Sequence, residues 1–192
     1  MVLQTAVPGV AWHGSWSPVG AADTARVADL PAVQRLLLTT DGALTPLLET
    51  LLGEPIAVRV LDQSETVARD PDLELALFAG ARIVERRVLL SGAHAQTPLV
   101  FASSRIALDR LAPRVAADLV DGGGAIGLVL RAHAVETYRV ALRIGIGPAS
   151  AGAAAWLGDT TTCRRRYAIR SGGRPLMLVD EQFPAAGFGT ED

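Results

Sequence analysis

The chain is 192 residues long and contains no lysine; all 18 of its basic side chains are arginine. Without lysine there is no Schiff-base chemistry, which removes pyridoxal-phosphate and lysine-aldolase mechanisms. A phosphate loop of the Walker type is removed as well, because its terminal lysine reaches the phosphates. The single cysteine, Cys163, excludes an internal disulfide and any multi-cysteine metal site. Histidine is almost as scarce: His13, His94 and His133 never fall at i, i+4 spacing, so no metal centre is expected. Aromatic residues make up 5% of the chain and the formal net charge is −2. A base-stacking platform and a basic phosphate-binding face are both missing, and no nucleic-acid partner is expected. No apolar run approaches the ~18 residues of a membrane span; the alanine-rich stretch 149–155 is far too short. No membrane partner is expected. Residues 1–20 have neither a basic start nor a long apolar run, so no secretory leader is expected and the expected location is the cytoplasm.

What is present reads as one domain over residues 29–192, preceded by an irregular arm over residues 1–28 that is punctuated by proline and glycine and anchored by Trp12 and Trp16. Asp29 followed by Pro31 predicts an N-cap and a first-turn proline, with Val33, Leu36 and Leu37 as the apolar stripe of a helix. Leu44, Leu47, Leu48, Leu51 and Leu52 predict a second helix ending at Gly53. Beyond Glu54 the period changes to two. Strands are predicted over residues 56–61, 81–90, 98–107, 138–146, 160–170 and 174–183, with helices over 111–119 and 126–133 between them. Ser171-Gly172-Gly173 predicts a hairpin turn. Six strands without regular βαβ alternation predict an α+β fold with a mostly antiparallel sheet.

Alternation puts every second strand residue on one face, so a charge sharing a face with large apolar residues needs a partner. Arg86 shares its face with Val84, Val88 and Leu90; Glu181 with Met177, Val179 and Phe183; Arg165 with Cys163, Tyr167 and Ile169; Arg105 with Leu99 and Phe101. One reading is an internal ion pair in which Arg86 or Arg165 satisfies Glu181. The other is a ligand site in which guanidinium forks hold carboxylates and Glu181 accepts a hydroxyl. Inward arginines outnumber inward acids, which favours an anionic ligand. Gly122, Gly124 and Gly127 match G-x-G-x-x-G in spacing but follow a helical segment, which argues against a dinucleotide site. A helix start around Ala125-Ile126-Gly127 offers backbone N–H groups to an anion. Ser103-Ser104 lacks an elbow motif and a nearby histidine, so a serine hydrolase is not supported.

Residues 83–90, Ile-Val-Glu-Arg-Arg-Val-Leu-Leu, resemble the chorismate lyase strand that carries the substrate-binding arginine. Ala125-Ile126-Gly127 resembles that family's Pro-Leu/Ile-Gly segment. Residues 165–181, running through Ser171-Gly172-Gly173-Arg174-Pro175 to an acid just before a phenylalanine and a proline, resemble its C-terminal hairpin. Residues 36–42 with Leu44-Thr45 resemble its first helical hairpin, and the likeness runs from about Leu30 to Pro184. The resemblance implies an antiparallel sheet of six strands with helices covering an enclosed ligand site. It implies an enzyme that removes pyruvate from chorismate to leave 4-hydroxybenzoate without metal or organic cofactor, on a small carboxylate substrate. It assigns the ring carboxylate to Arg86 and the ring hydroxyl to Glu181, with backbone groups at Leu44 and Ile126, and Gly127, around the pocket. Arg165, from its inward position, and Arg105, beside Ser104 at a polar position of the family, are expected as further substrate contacts. The chain departs from the family pattern at Leu128, where an arginine is usual, and at Ala125, where a proline is usual. Those departures leave two alternatives: a repurposed enzyme on another carboxylated or polyene-like metabolite, for example a cyclase, or a non-catalytic aromatic-acid-binding protein, since a related fold serves as a sensor domain in transcription regulators.

Overall fold

Six segments with strand-type alternation pair into one sheet: β1 (Ile56–Val67), β2 (Arg82–Gly92), β3 (Pro98–Ala107), β4 (Tyr138–Pro148), β5 (Thr161–Ser171) and β6 (Arg174–Pro184). Their order is β1-β2-β3-β6-β5-β4 and every neighbouring pair is antiparallel. The computed structural model describes residues 27, 29–121 and 124–188. Among these, five α-helices fill the connections: α1 (Ala32–Thr39), α2 (Leu44–Leu52), α3 (Pro113–Asp121), α4 (Ile126–Ala132) and α5 (Ala151–Leu157). The α+β class with a six-stranded antiparallel sheet is thus the observed architecture. The expected arm with Trp12 and Trp16, together with His13 and Gly122, lies outside the described residues. Among the described residues no helix is long and apolar enough to cross a membrane.

Local chemistry accounts for most of the boundaries. The β5–β6 hairpin turns on Gly172 (φ 52°) and Gly173 (φ 77°), the two left-handed positions that a tight hairpin turn demands. Helix α2 stops at Gly53, whose φ of 66° is the left-handed stop of a helix C-terminus. Helix α1 departs from expectation: its N-cap is Pro31, without a side-chain cap, and Asp29 lies two residues upstream of it. Helix α3 begins at Pro113, after a short 3-10 turn at Leu108–Arg110. Helix α5 was not expected. Ser150 caps it, accepting from the Ala153 N–H, and Gln182 from β6 holds the cap through both of its side-chain polar atoms.

The register divides one face of the sheet into cross-strand rows. Val84 faces Ile106, Ile106 faces Met177, Met177 faces Ile169, and Ile169 faces Arg139. The apolar part of that row packs with Val115, Leu119 and Leu130 from α3 and α4. Three rows along, Leu90, Val100, Phe183 and Cys163 pack with Leu37, Leu38, Leu44 and Leu48 from α1 and α2. Between these two helical packs run two further rows. One is Arg86–Ser104–Val179–Tyr167–Ala141; the other is Val88–Ala102–Glu181–Arg165–Ile144. With Arg139 at the end of the Val84–Ile106 row, they carry the polar residues of this face. The reverse face is covered by α5 on Leu89 and Phe101, and by the 68–81 segment, whose Leu75 and Leu77 pack on Ile83, Ala107, Ala168 and Leu178. Ion pairs from Arg166 to Glu74 and from Arg105 to Asp72 hold that segment down.

Two packs separated by polar rows should respond independently to damage. Leu48→Ala and Leu119→Ala each remove a fully buried side chain, at a cost of about 2–5 kcal/mol. Urea unfolding of the double variant is expected to give the sum of the single losses to within about 0.5 kcal/mol; a coupling well above that would show one continuous core.

Candidate functional site

The two polar rows line a cavity with about 730 Å³ of empty space, its open mouth included. Its floor comes from all six strands: Val58 of β1, Arg86 and Val88 of β2, Ala102 and Ser104 of β3, Val179 and Glu181 of β6, Tyr167 and Ile169 of β5, and Arg139 of β4. Its walls are the start of α2, with Leu44 and Thr45, and the segment entering α4, with Gly124, Ala125, Ile126, Gly127 and Leu128. The cavity lies between the two helical packs and shares lining residues with both.

Glu181 is held from two sides. Arg165 Nε donates to its Oε2 at 2.5 Å and the Tyr167 hydroxyl donates to its Oε1 at 3.0 Å. Arg165 Nη1 also donates to the carbonyls of Leu37 and Thr40, at 2.8 and 3.0 Å, in the last turn of α1. Burial alone would lower the Arg165 pKa, but the Glu181 carboxylate and the Tyr167 oxygen beside it outweigh that and shift it upward. Burial pushes the Tyr167 phenol well above its ordinary value, with Glu181 adding to the effect, so the hydroxyl keeps its proton and stays a donor. Arg86 is 2% exposed. Its Nη2 donates to the Gly124 carbonyl at 2.8 Å, and burial lowers its pKa; an arginine nonetheless stays charged.

The structure brings Arg86, Glu181, Leu44, Ile126 and Gly127 to this one cavity. Two expected substrate contacts lie elsewhere. Arg105 projects from the reverse face of β3, where it pairs with Asp72 and Glu85. The cavity takes the other parity of β3, Ala102 and Ser104, and the apolar Leu99 and Phe101 that share the parity of Arg105 do not define the site. Arg165 is on the cavity face but stands behind Glu181, with Nε on that acid and Nη1 on the end of α1. It is the ion-pair partner of Glu181 rather than part of the cavity lining. The open choice between Arg86 and Arg165 as that partner is thereby resolved.

Sequence reasoning missed Arg139 and did not assign Tyr167 a role. In β4, Ile144 and Ile146 pack into the core below α1 and α2. Counting back from them by twos puts Leu142, Val140 and Tyr138 inward and Arg139 outward. A register shift between Ala141 and Arg143 reverses the parity, as a bulge does, so Tyr138, Val140 and Leu142 are exposed and Arg139 points into the cavity. Nothing in the sequence marks that bulge. Tyr167 could have been found, since it shares parity with Arg165 two residues away. Among the described residues no group of three or more His, Cys, Asp or Glu side chains is arranged to hold a metal ion.

Comparison with known proteins bears on the same segments. The chorismate pyruvate-lyase Rv2949c-like family model matches residues 38–187. A chorismate pyruvate-lyase of Mycobacterium leprae (strain TN) is 30% identical over 163 residues, covering 80% of this chain and 75% of its own. The chorismate pyruvate-lyase of Mycobacterium tuberculosis (strain CDC 1551 / Oshkosh) is 27% identical over 164 residues, 80% of each chain. Among solved structures, PhnF from Mycobacterium smegmatis superposes with a TM-score of 0.59 at 14% identity, over 76% of this chain and 65% of that one. The C-terminal domain of the histidine utilization repressor from Pseudomonas syringae pv. tomato str. DC3000 gives 0.53 at 14% identity, over 71% and 96%. The structural likeness describes the fold, and the sequence likeness places it: this chain belongs to the Rv2949c-like chorismate pyruvate-lyase family.

Proposed function

We propose that the protein removes pyruvate from chorismate to leave 4-hydroxybenzoate, with Arg86 on the ring carboxylate and Glu181 on the ring hydroxyl. The observation that carries this reading is a buried arginine and a pre-oriented buried carboxylate on one cavity wall. The two residues are two strands apart in the order β2-β3-β6, about 10 Å at backbone spacing, and their side chains extend into the space between. The carboxylate and hydroxyl of the substrate are para across the ring and suit such a pair. Val88, Ala102, Val179 and Ile169 offer the ring an apolar bed. Arg165 and Tyr167 keep Glu181 oriented, leaving its remaining lone pairs to accept the ring hydroxyl. Leu44 and Ile126, at the first turns of α2 and α4, and Gly127 close the ring in from above.

In the reaction the ring–oxygen bond to the enolpyruvyl group breaks and its electron pair leaves with enolpyruvate. The hydrogen on the hydroxyl-bearing ring carbon departs as a proton, and its bonding pair completes the aromatic ring. Enolpyruvate takes up a proton and becomes pyruvate, so no atom is gained or lost. Aromatisation supplies the driving force. The protein has to orient the anion and stabilise departing negative charge.

Incubating the purified protein with chorismate should release 4-hydroxybenzoate and pyruvate in equal amounts; a folded protein with no turnover would overturn the reading. The effector-domain fold of PhnF favours one rival, a binding protein, and tight 4-hydroxybenzoate binding without turnover would support it. Arg86→Lys cannot reproduce a bidentate fork, and 4-hydroxybenzoate binding measured by calorimetry should weaken by about tenfold or more. Unchanged affinity would remove Arg86 as anchor. Glu181→Gln should lose about 1.5–3 kcal/mol of 4-hydroxybenzoate affinity. It should also lower the unfolding midpoint, because Arg165 keeps its buried charge without the anion. A loss of stability alone would make Glu181 structural only.

A further inference from the structure

The charged side chains lining the cavity are Arg86, Arg131, Arg139 and Glu181. Glu181 is offset by Arg165, so the wall carries an excess of positive charge. Arg131 is exposed, where solvent and salt screen it. Arg139 is different. It sits on β4, four strands from Arg86 in the order β2-β3-β6-β5-β4, roughly 19 Å at backbone spacing, and one cross-strand row away. Its guanidinium reaches back over the cavity, with Cζ 5.8 Å from the Tyr167 ring centroid. Its Nη2 lies 3.7 Å from where a side-chain carbon on Gly127 would begin, so the guanidinium stands against the start of α4. Nη1 reaches the Asp41 carbonyl only at 3.5 Å, the long limit of a hydrogen bond. Nε is buried with no hydrogen-bond partner among the described residues, and none of their carboxylates pairs with this arginine. Buried donors ordinarily find acceptors. A half-buried guanidinium with donors to spare, facing a ligand cavity, suits a second anionic oxygen pair.

We infer that Arg139 binds the carboxylate of the enolpyruvyl side chain, making the cavity a two-ended cation site for a dianion. One acid belongs to the ring, at Arg86, and the other to an ether substituent, at Arg139. The inference rests on the lyase reading above for the identity of the ligand. It has its own consequence: Arg139 discriminates the dianionic substrate from the product, which keeps only the ring carboxylate. It is a specificity-determining residue that acts on the part of the substrate that leaves.

The test compares wild type, Arg139→Gln and Arg139→Lys in two titrations, one with chorismate and one with 4-hydroxybenzoate. Chorismate affinity is read as KM where turnover occurs and by calorimetry where it does not. Arg139→Gln is expected to weaken chorismate by about tenfold or more, with Arg139→Lys partly restoring it, while 4-hydroxybenzoate binding changes by less than about twofold. Equal losses for both ligands, or no loss for chorismate, would overturn the assignment. Absence of turnover in wild type with the Arg139 dependence intact would overturn the lyase reading and leave the dianion site standing. No chorismate binding in wild type would overturn both.

Discussion

A guanidinium buried inside a protein needs acceptors, and in this chain Arg165 draws them from two directions. Its Nε takes the Glu181 carboxylate across the β5–β6 pair, and its Nη1 takes two carbonyls at the end of α1. One side chain therefore ties the centre of the sheet to the helical hairpin that roofs it. Removing one partner of such a pair strands a buried charge and costs about 3–5 kcal/mol. An apolar pair would be the simpler way to fill the same volume. The ion pair adds an acid oriented toward a cavity, with Tyr167 steadying its second oxygen.

The cavity follows from the division of labour along the sheet. At one end the rows are apolar and α3 and α4 seal them; at the other, α1 and α2 do the same. The middle rows carry Arg86, Ser104, Tyr167, Glu181 and Arg165, which a helix could not cover without leaving polar groups unsatisfied. Space remains there, and its charge is positive. In such a site, screened from water, hydrogen bonds to an anion are stronger than in solvent. The enclosure that makes the arginines costly to bury makes them effective binders of carboxylates.

Much of this was legible from the chain. Strand parity placed Arg86, Glu181 and Arg165 on the inner face with apolar neighbours, and the hairpin glycines and the Gly53 stop marked the turns that set the register. The illegible parts share a physical cause, which is that alternation says which residues share a face but not which face is in. For Arg105 the apolar company of Phe101 pointed to the wrong side, because the reverse face of the sheet is also covered, by α5 and the 68–81 segment, while a register shift beside Pro98 puts Leu99 with the α1–α2 pack. In β4 a bulge reverses the parity midway and sends Arg139 inward. Helix α5 is seven residues long and has no apolar period long enough to read, so its Ser150 cap was the only signal.

The central claim is that Arg86 and Glu181 read the two ends of one aromatic acid. The most direct measurement is a crystal structure of the protein with 4-hydroxybenzoate. The account predicts the ring between Val88 and Val179, its carboxylate within hydrogen-bonding reach of the Arg86 guanidinium and its hydroxyl on Glu181, with the Arg165–Glu181 pair unbroken. A ligand bound in the reverse sense, or seated outside this cavity, would contradict it.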